Sequence, residues 1–225
     1  ADAGADGTYN LTVQVADGNG GTGTQLLTVR VGNVNEAPLI TSSAAVTAAE
    51  NQTAALTVTS SDVDGAAPVY TIVGGADAAL FSIDSATGVL TFNSAPDFEA
   101  PADSGADNVY DVTVQVADGN GGTGTQAIAV TIGNVNEAPV ISSDGSGASA
   151  TLGVAENQTA VTMLTSSDVD GGTPSYSIVG GADAALFSID SATGVLTFNI
   201  APDFELPADA GADGTYNLTV QVADG

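Results

Sequence analysis

Large apolar and polar residues alternate along Tyr110-Asp-Val-Thr-Val-Gln-Val-Ala, so that Tyr110, Val112, Val114 and Val116 share one face. That period of two predicts a half-buried β-strand. A turn cluster, Asp118-Gly-Asn-Gly-Gly, follows it, and then a second strand over Thr125-Gln-Ala-Ile-Ala-Val-Thr-Ile. The two strands read as a hairpin with a glycine-rich turn. Upstream, Leu80-Phe-Ser-Ile-Asp and Val89-Leu-Thr-Phe flank Ser85-Ala-Thr-Gly88 and predict a second hairpin. Leu39–Thr47, Ala54–Thr59 and Val69–Val73 read as further strands, which makes seven short strands at sandwich spacing. No segment sustains a 3.6-residue period, and Ala76-Asp-Ala-Ala-Leu-Phe has room for a single helical turn at most.

The same pattern recurs along the chain. The 18 residues ADAGADGTYNLTVQVADG open the sequence and recur at Ala208–Gly225, and GGADAALFSIDSATGVLTFN occurs unchanged at Gly74–Asn93 and Gly180–Asn199. Tyr9 to Tyr110 is 101 residues, and Tyr110 to Tyr216 is 106. Solenoid units run about 20–50 residues, so this longer period points to separately folded domains in tandem. The sequence divides into the end of one repeat at 1–36, a complete repeat at 37–137, and a repeat at 138–225 that lacks its last strand. Pro139 to Glu156 is five residues longer than Pro38 to Glu50, with Gly, Ser and Ala added near Gly145–Ala150. Such a surface insertion leaves the later strands in register. The open ends predict head-to-tail continuity between copies of this chain, since unpaired strand edges recruit partners.

Charge then narrows the chemistry. There are 27 acidic residues against one basic residue, Arg30, and the net charge is −26. Nothing is present to neutralise phosphates, which excludes nucleic-acid binding, and an anionic membrane would repel the chain. The natural partner of this surface is a cation. Cysteine and histidine are absent, so disulfides, thiol chemistry and the usual transition-metal ligands are excluded. No run of apolar residues is long enough for a membrane-spanning helix, and 43% hydrophobic content argues for a folded chain.

The acids gather at turns and strand ends: Glu50-Asn51, Asp62-Val-Asp64-Gly65, Asp84, Asp97-Phe-Glu99, Asp118-Gly119 and Asn134-Val-Asn-Glu137-Ala-Pro139. Any one of these is an ordinary turn signal. The ordered set, flanking a Pro-containing linker, offers the carboxylates and amide carbonyls that calcium takes six to eight at a time. Asp84 reads differently, as the cap of a hairpin turn.

With those motifs in place, the unit resembles a cadherin repeat in the bacterial cadherin-like form of large surface adhesins and filament proteins. The likeness rests on Glu50-Asn51, Asp62-Val-Asp64, Phe81-Ser-Ile-Asp84…Thr87-Gly88, Asp97-Phe-Glu99 and Asn134-Val-Asn136-Glu137-Ala-Pro139, in that order. It implies an all-β fold of tandem seven-stranded Greek-key β-sandwiches, cadherin-like or Ig-like, set end to end as a rod. It also implies Ca2+ at each seam. At the second seam the family scheme falls on Glu50, Asp97, Glu99, Asn134, Asn136, Glu137, Asp168, Asp170 and Asp224. At the first it falls on Asn33, Asn35, Glu36, Asp62, Asp64 and Asp118. Asn33 and Asn134 stand where the family usually has Asp, and the linker is one residue shorter.

The resemblance implies a non-enzymatic extracellular stalk, spacer or filament segment at a bacterial cell surface, with calcium ions and neighbouring repeats as partners. A carbohydrate- or protein-binding module array is the alternative, its partners glycans or cell-surface proteins. Glycan platforms display exposed aromatics, yet the chain has no Trp, and its Tyr and Phe residues fall mostly at strand core positions. Asp97 and Glu99 have the chemistry of an acid/base pair. Their periodic recurrence, with no His, Cys or Lys nearby, argues against catalysis.

Overall fold

The structure, a computed structural model, describes residues 6–224. The start of the first 18-residue copy, residues 1–5, and the last residue of the second, Gly225, lie outside them. The chain forms two compact units. The first comprises Ala1–Ala48, Gln52–Pro96 and Ala102–Gly133; the second comprises Ala49–Asn51, Asp97–Pro101 and Asn134–Gly225.

In the first unit, β1 (Thr8–Ala16) and β2 (Thr22–Arg30) form a hairpin that is its own two-stranded sheet. Nine strands follow: β3 (Leu39–Ile40), β4 (Ala45–Ala49), β5 (Ala54–Thr57), β6 (Ser60–Ser61), β7 (Val69–Gly74), β8 (Phe81–Ile83), β9 (Val89–Phe92), β10 (Val109–Ala117) and β11 (Thr123–Gly133). One sheet has the order β4-β11-β10-β7 and the other β5-β9-β8, while β3 pairs β6. The alternation along β10 works as the sequence predicts. Tyr110, Val112, Val114 and Val116 are buried, with Ile128, Val130 and Ile132 from β11 beside them. Phe81, Leu90 and Phe92 are buried from the other sheet. The Phe92 and Tyr110 rings meet edge to face at 5.2 Å, which joins the two layers.

The two predicted hairpins form, and the predicted helical turn is a 3-10 turn at Ala78–Leu80. One predicted strand is divided and another is shortened. Leu39–Thr47 breaks into β3 and β4, whereas Ala54–Thr59 ends early as β5, and the separate β6 begins just past it. The physical cause is a change of partner: β3 pairs β6, whereas β4 belongs to the sheet of β11 and β5 to that of β9. At the crossing, the Thr41 and Ser42 N–H groups both turn to the Thr59 carbonyl. The register shifts where β7 meets β10, between Thr113 and Val114, and Gly75 stands just beyond the end of β7. It sits at φ 110°, and a Cβ there would lie 2.4 Å from the Asp111 carbonyl oxygen.

In the second unit the strands are β12 (Val140–Ile141), β13 (Ala160–Met163), β14 (Ser166–Ser167), β15 (Ser175–Gly180), β16 (Phe187–Ile189), β17 (Val195–Phe198) and β18 (Thr219–Ala223). Every strand from β13 to β17 sits 106 positions after its counterpart, so the insertion before Glu156 leaves the register intact. Phe187, Leu196 and Phe198 form the core, with Val161, Ile178, Tyr216 and Leu218 packed on it. The strand read from Tyr216 begins only at Thr219. Its counterpart β10 pairs with β11 over Val109–Val112, and among the described residues nothing takes the place of β11 beside residues 215–218.

Candidate metal centre

The loops that end strands aim acids at one place in the second unit. Glu50 follows β4 and is buried. Its Oε2 accepts the Phe98 N–H at 2.8 Å, and its Oε1 accepts the Val135 N–H at 2.7 Å. Asp97 caps its own turn, accepting the Ala100 N–H at 2.9 Å. Asp170 Oδ2 accepts the Glu137 N–H at 2.7 Å, and Asp168 Oδ1 accepts the Asp170 N–H at 2.9 Å. Asn136 donates its side-chain amide to Asp224 at 2.6 Å, and Asn51 donates to Glu137.

Two adjoining clusters result, one of Glu50, Asp97 and Glu99 and one of Glu99, Glu137 and Asp170, and Glu99 belongs to both. Within each cluster the carboxylate oxygens lie within 4.8 Å of one another. Like charges this close disfavour ionisation. Loss of hydration raises the pKa of Glu99 and of Glu137, and the charges of Glu50 and Asp170 raise both further. Asp170 is held below the usual carboxylate range by the Glu137 N–H and the Asn134 side chain. Three carboxylate oxygens here, Glu137 Oε2, Asp168 Oδ2 and Asp170 Oδ1, are buried without a hydrogen-bond partner. A buried acceptor without a partner is costly. All nine residues assigned to the second seam lie in this unit, and all nine take part in the contacts and clusters just described. Asn134 reaches it through Asp170, and Asp224 through Asn136.

The first unit repeats part of the arrangement. Asp64 accepts the Asn33 side-chain amide at 2.8 Å and the Glu36 N–H at 2.8 Å. Asp62 Oδ1 accepts the Asp64 N–H at 2.7 Å, and its Oδ2 is buried without a partner. Asn35 donates to Asp118 at 2.6 Å. The six residues assigned to this seam are thus brought together. The Asn35 amide lowers the pKa of Asp118, whereas the charge of Asp64 raises that of Glu36. Asn33, where the family usually has Asp, supplies a donor that a carboxylate lacks. Asp84, outside the site, caps its turn through the Thr87 hydroxyl and the Thr87 and Ala86 N–H groups.

Sequence reasoning passed over two groups of acids. Asp77 and Asp103 are buried, as are their counterparts Asp183 and Asp209. Asp77 accepts the Ser104 N–H at 2.7 Å and the Asp111 N–H at 2.8 Å. Asp103 accepts the N–H groups of Gly105, Asp107 and Asn108. These carboxylates clamp loops to strands and are not part of the centre. The second group, Glu156, Asp203 and Glu205, forms an exposed third cluster. Its signal was the period itself, because each acid stands 106 positions after Glu50, Asp97 or Glu99.

Comparison with known proteins bears on the fold. A family model for a bacterial Ig domain matches residues 35–131. Human Protocadherin Fat 4 is 32% identical over 157 residues, 68% of this chain and 3% of the relative. A solved structure of the protocadherin gammaB7 EC3-6 cis-dimer superposes with a TM-score of 0.56 at 22% identity, covering 98% of this chain and 57% of that one. The repeats of this chain have a cadherin-like fold. Human CDH23 EC21-23 gives a TM-score of 0.54 at 20% identity, covering 96% of this chain and 73% of that one. The chain thus spans a small fraction of its curated relative's length. Bacterial Ig and cadherin-like domains share the all-β sandwich seen here, and both are non-enzymatic structural modules of the adhesion type. No helix among the described residues is long and apolar enough to cross a membrane.

Proposed function

We propose that the chain is a segment of an extracellular, calcium-stiffened array of cadherin-like repeats. It acts as a stalk, spacer or filament segment in cell adhesion at a bacterial surface. The repeats are bounded at 1–36, 37–137 and 138–225, and the seams hold Ca2+ through the residues assigned to them above.

The observation that carries this reading is the trio of buried, unpartnered carboxylate oxygens on Glu137, Asp168 and Asp170. They lie among further acids with no Lys, Arg or His nearby to neutralise them. A hard divalent cation satisfies such oxygens and reverses the sign of their mutual interaction. Glu50 and the Asp97–Glu99 loop would hold one side of the ion, and Glu137, Asp168 and Asp170 the other. The Asn134–Pro139 linker would then be fixed by its own ligands.

Calcium titration followed by small-angle scattering and thermal melting tests the proposal. Adding calcium is expected to stiffen the array and raise Tm, and excess chelator to reverse both. An identical scattering profile and melting curve in calcium and in chelator would overturn it.

A further inference from the structure

Among the asparagines of the chain, only Asn19 and Asn120 precede a glycine. Each lies in the turn of a hairpin, Asn19 between β1 and β2 and Asn120 between β10 and β11. The turn is built around the aspartate two residues earlier. Asp118 Oδ1 accepts the Asn120 N–H at 2.7 Å and the Gly122 N–H at 2.9 Å, and the Asp118 N–H donates to the Gly122 carbonyl at 3.2 Å. Asp17 repeats this with the Asn19 and Gly21 N–H groups, both at 2.8 Å, and with the Gly21 carbonyl at 3.0 Å.

The fold thus ties the residues on both sides of Gly121 and leaves Gly121 itself untied. Among the described residues, nothing accepts the Gly121 N–H or engages the Asn120 side chain, and both residues are exposed. Gly121 stands at φ 105°, and no atom lies within 4 Å of where its Cβ would be. Glycine has no Cβ to hinder ring closure, and its permissive backbone lets its nitrogen approach the preceding side chain. Neighbouring candidates lack one half of this pair. Asn93, which precedes Ser94, donates its amide to the Ala79 carbonyl at 3.0 Å and accepts the Ser82 hydroxyl at 2.7 Å. Asp118 precedes Gly119, but a carboxylate is a poor electrophile, and both of its oxygens are hydrogen-bonded.

We propose that Asn120 is a site of spontaneous deamidation, and that the isoaspartate formed there opens the turn that holds Asp118. Base removes the Gly121 amide proton, and the nitrogen attacks Asn120 Cγ. The N–Cγ bond forms, the Cγ–Nδ2 bond breaks, and the side-chain nitrogen takes a proton from solvent and leaves as ammonia. The cyclic imide then adds water. Opening at Cγ gives aspartate, and opening at the main-chain carbonyl gives isoaspartate, whose main chain runs through Cβ and Cγ and is longer by a methylene. Water is the co-reactant throughout.

That lengthening falls between the Asn120 and Gly122 N–H groups, the two donors that Asp118 Oδ1 holds together. An oxygen placed for the shorter span loses one of them. Asp118 Oδ2 accepts the Asn35 side-chain amide at 2.6 Å, so the disturbance reaches the linker. Its effect on an ion there rests on the calcium reading above. Asn19–Gly20 has the same geometry and undergoes the same reaction.

Asn19→Gln removes the second site and leaves Asn120 as the sole Asn-Gly pair. The full chain carrying it is aged in warm, mildly alkaline buffer. Its peptides are then mapped by mass spectrometry with electron-transfer fragmentation, which distinguishes isoaspartate from aspartate. Amide loss at Asn120 is expected to be at least tenfold faster than at Asn93, to rise with hydroxide concentration and to give mostly isoaspartate. Hydrogen exchange at the Gly122 N–H is expected to be at least tenfold faster in the aged protein. It should be unchanged in fresh Asn120→Asp, which carries the added charge on an ordinary backbone. Amide loss at Asn120 as slow as at Asn93, or a product that is all aspartate, would overturn the assignment. Gly122 exchange unaffected by isoaspartate would overturn the opening of the turn. Terbium titration of fresh and aged protein tests the ion separately. No binding to either defeats the calcium reading and leaves the deamidation standing, weaker binding after ageing supports both, and equal binding removes Asp118 from the ligand set alone.

Discussion

Asp77 is the residue whose removal the structure values most clearly. It is 4% exposed, and its two carboxylate oxygens accept the Ser104 N–H at 2.7 Å and the Asp111 N–H at 2.8 Å. Its own N–H donates to the Asp111 carbonyl at 3.0 Å, so the loop after β7 is tied to β10 and to the 102–108 loop at once. Hydrogen bonds to a charged group each contribute about 1.5–3 kcal/mol. Asp77→Ala removes two of them and leaves two N–H groups without acceptors, so a loss of about 3–5 kcal/mol is expected. A domain is stable by only about 5–15 kcal/mol, so this is a large fraction. Asp77→Asn keeps one acceptor oxygen and is expected to lose less. Urea unfolding monitored by tyrosine fluorescence checks both. Asp183 makes the same contacts in the second unit and stays intact, so unfolding of Asp77→Ala should separate into two transitions. A midpoint within about 0.5 kcal/mol of wild type, the range of ordinary surface substitutions, would refute the reasoning.

Ala106 stands at φ 50°, in the left-handed region, so Ala106→Gly is expected to raise stability by about 0.5–1 kcal/mol in the same assay. Burial alone would raise the pKa of Asp103, but the Asp107, Asn108 and Gly105 N–H groups outweigh it and hold the group below its ordinary value. Its stabilising effect is therefore full above about pH 3.9, the unfolded value, and is lost as pH falls through the folded pKa. Asp103→Asn should flatten the acid limb of a Tm-against-pH curve. Asp170→Asn is expected to weaken calcium binding measured by calorimetry, whereas Asp84→Ala should leave it unchanged and soften only its hairpin turn. Equal affinity for wild type and Asp170→Asn would remove Asp170 from the proposed ligand set.

The hairpins were legible because a strand that packs on one face writes its burial into the sequence with a period of two. Tyr110–Val116 shows this at each step. The divided and shortened strands were not legible. Leu39–Thr47 is continuous in propensity, and only the positions of β6 and β11 decide where its pairing changes. The seam acids could be read as a group because the repeat places them in order around a proline. Asp77 and Asp103 could not, since an acid in a Gly-Ala loop has the composition of a solvated turn. What buries them is a set of backbone N–H groups that local sequence does not reveal. The short β18 belongs with these cases: residues 215–218 have the pattern of a strand, and among the described residues no strand pairs with them.

The unchanged stretch at Gly74–Asn93 and Gly180–Asn199 is an experiment already built into the polypeptide. Its hydrogen bonds are reproduced closely. The Phe92 N–H reaches Thr53 at 2.8 Å, and the Phe198 N–H reaches Thr159 at 2.8 Å. Intrinsic exchange chemistry, which depends on adjacent side chains, is therefore the same for paired amides within the stretch. Any difference in their deuterium uptake reports how often each sheet opens as a whole. The protein thus carries its own reference for comparing the local opening of its two units, measured in one tube and one solvent on one chain.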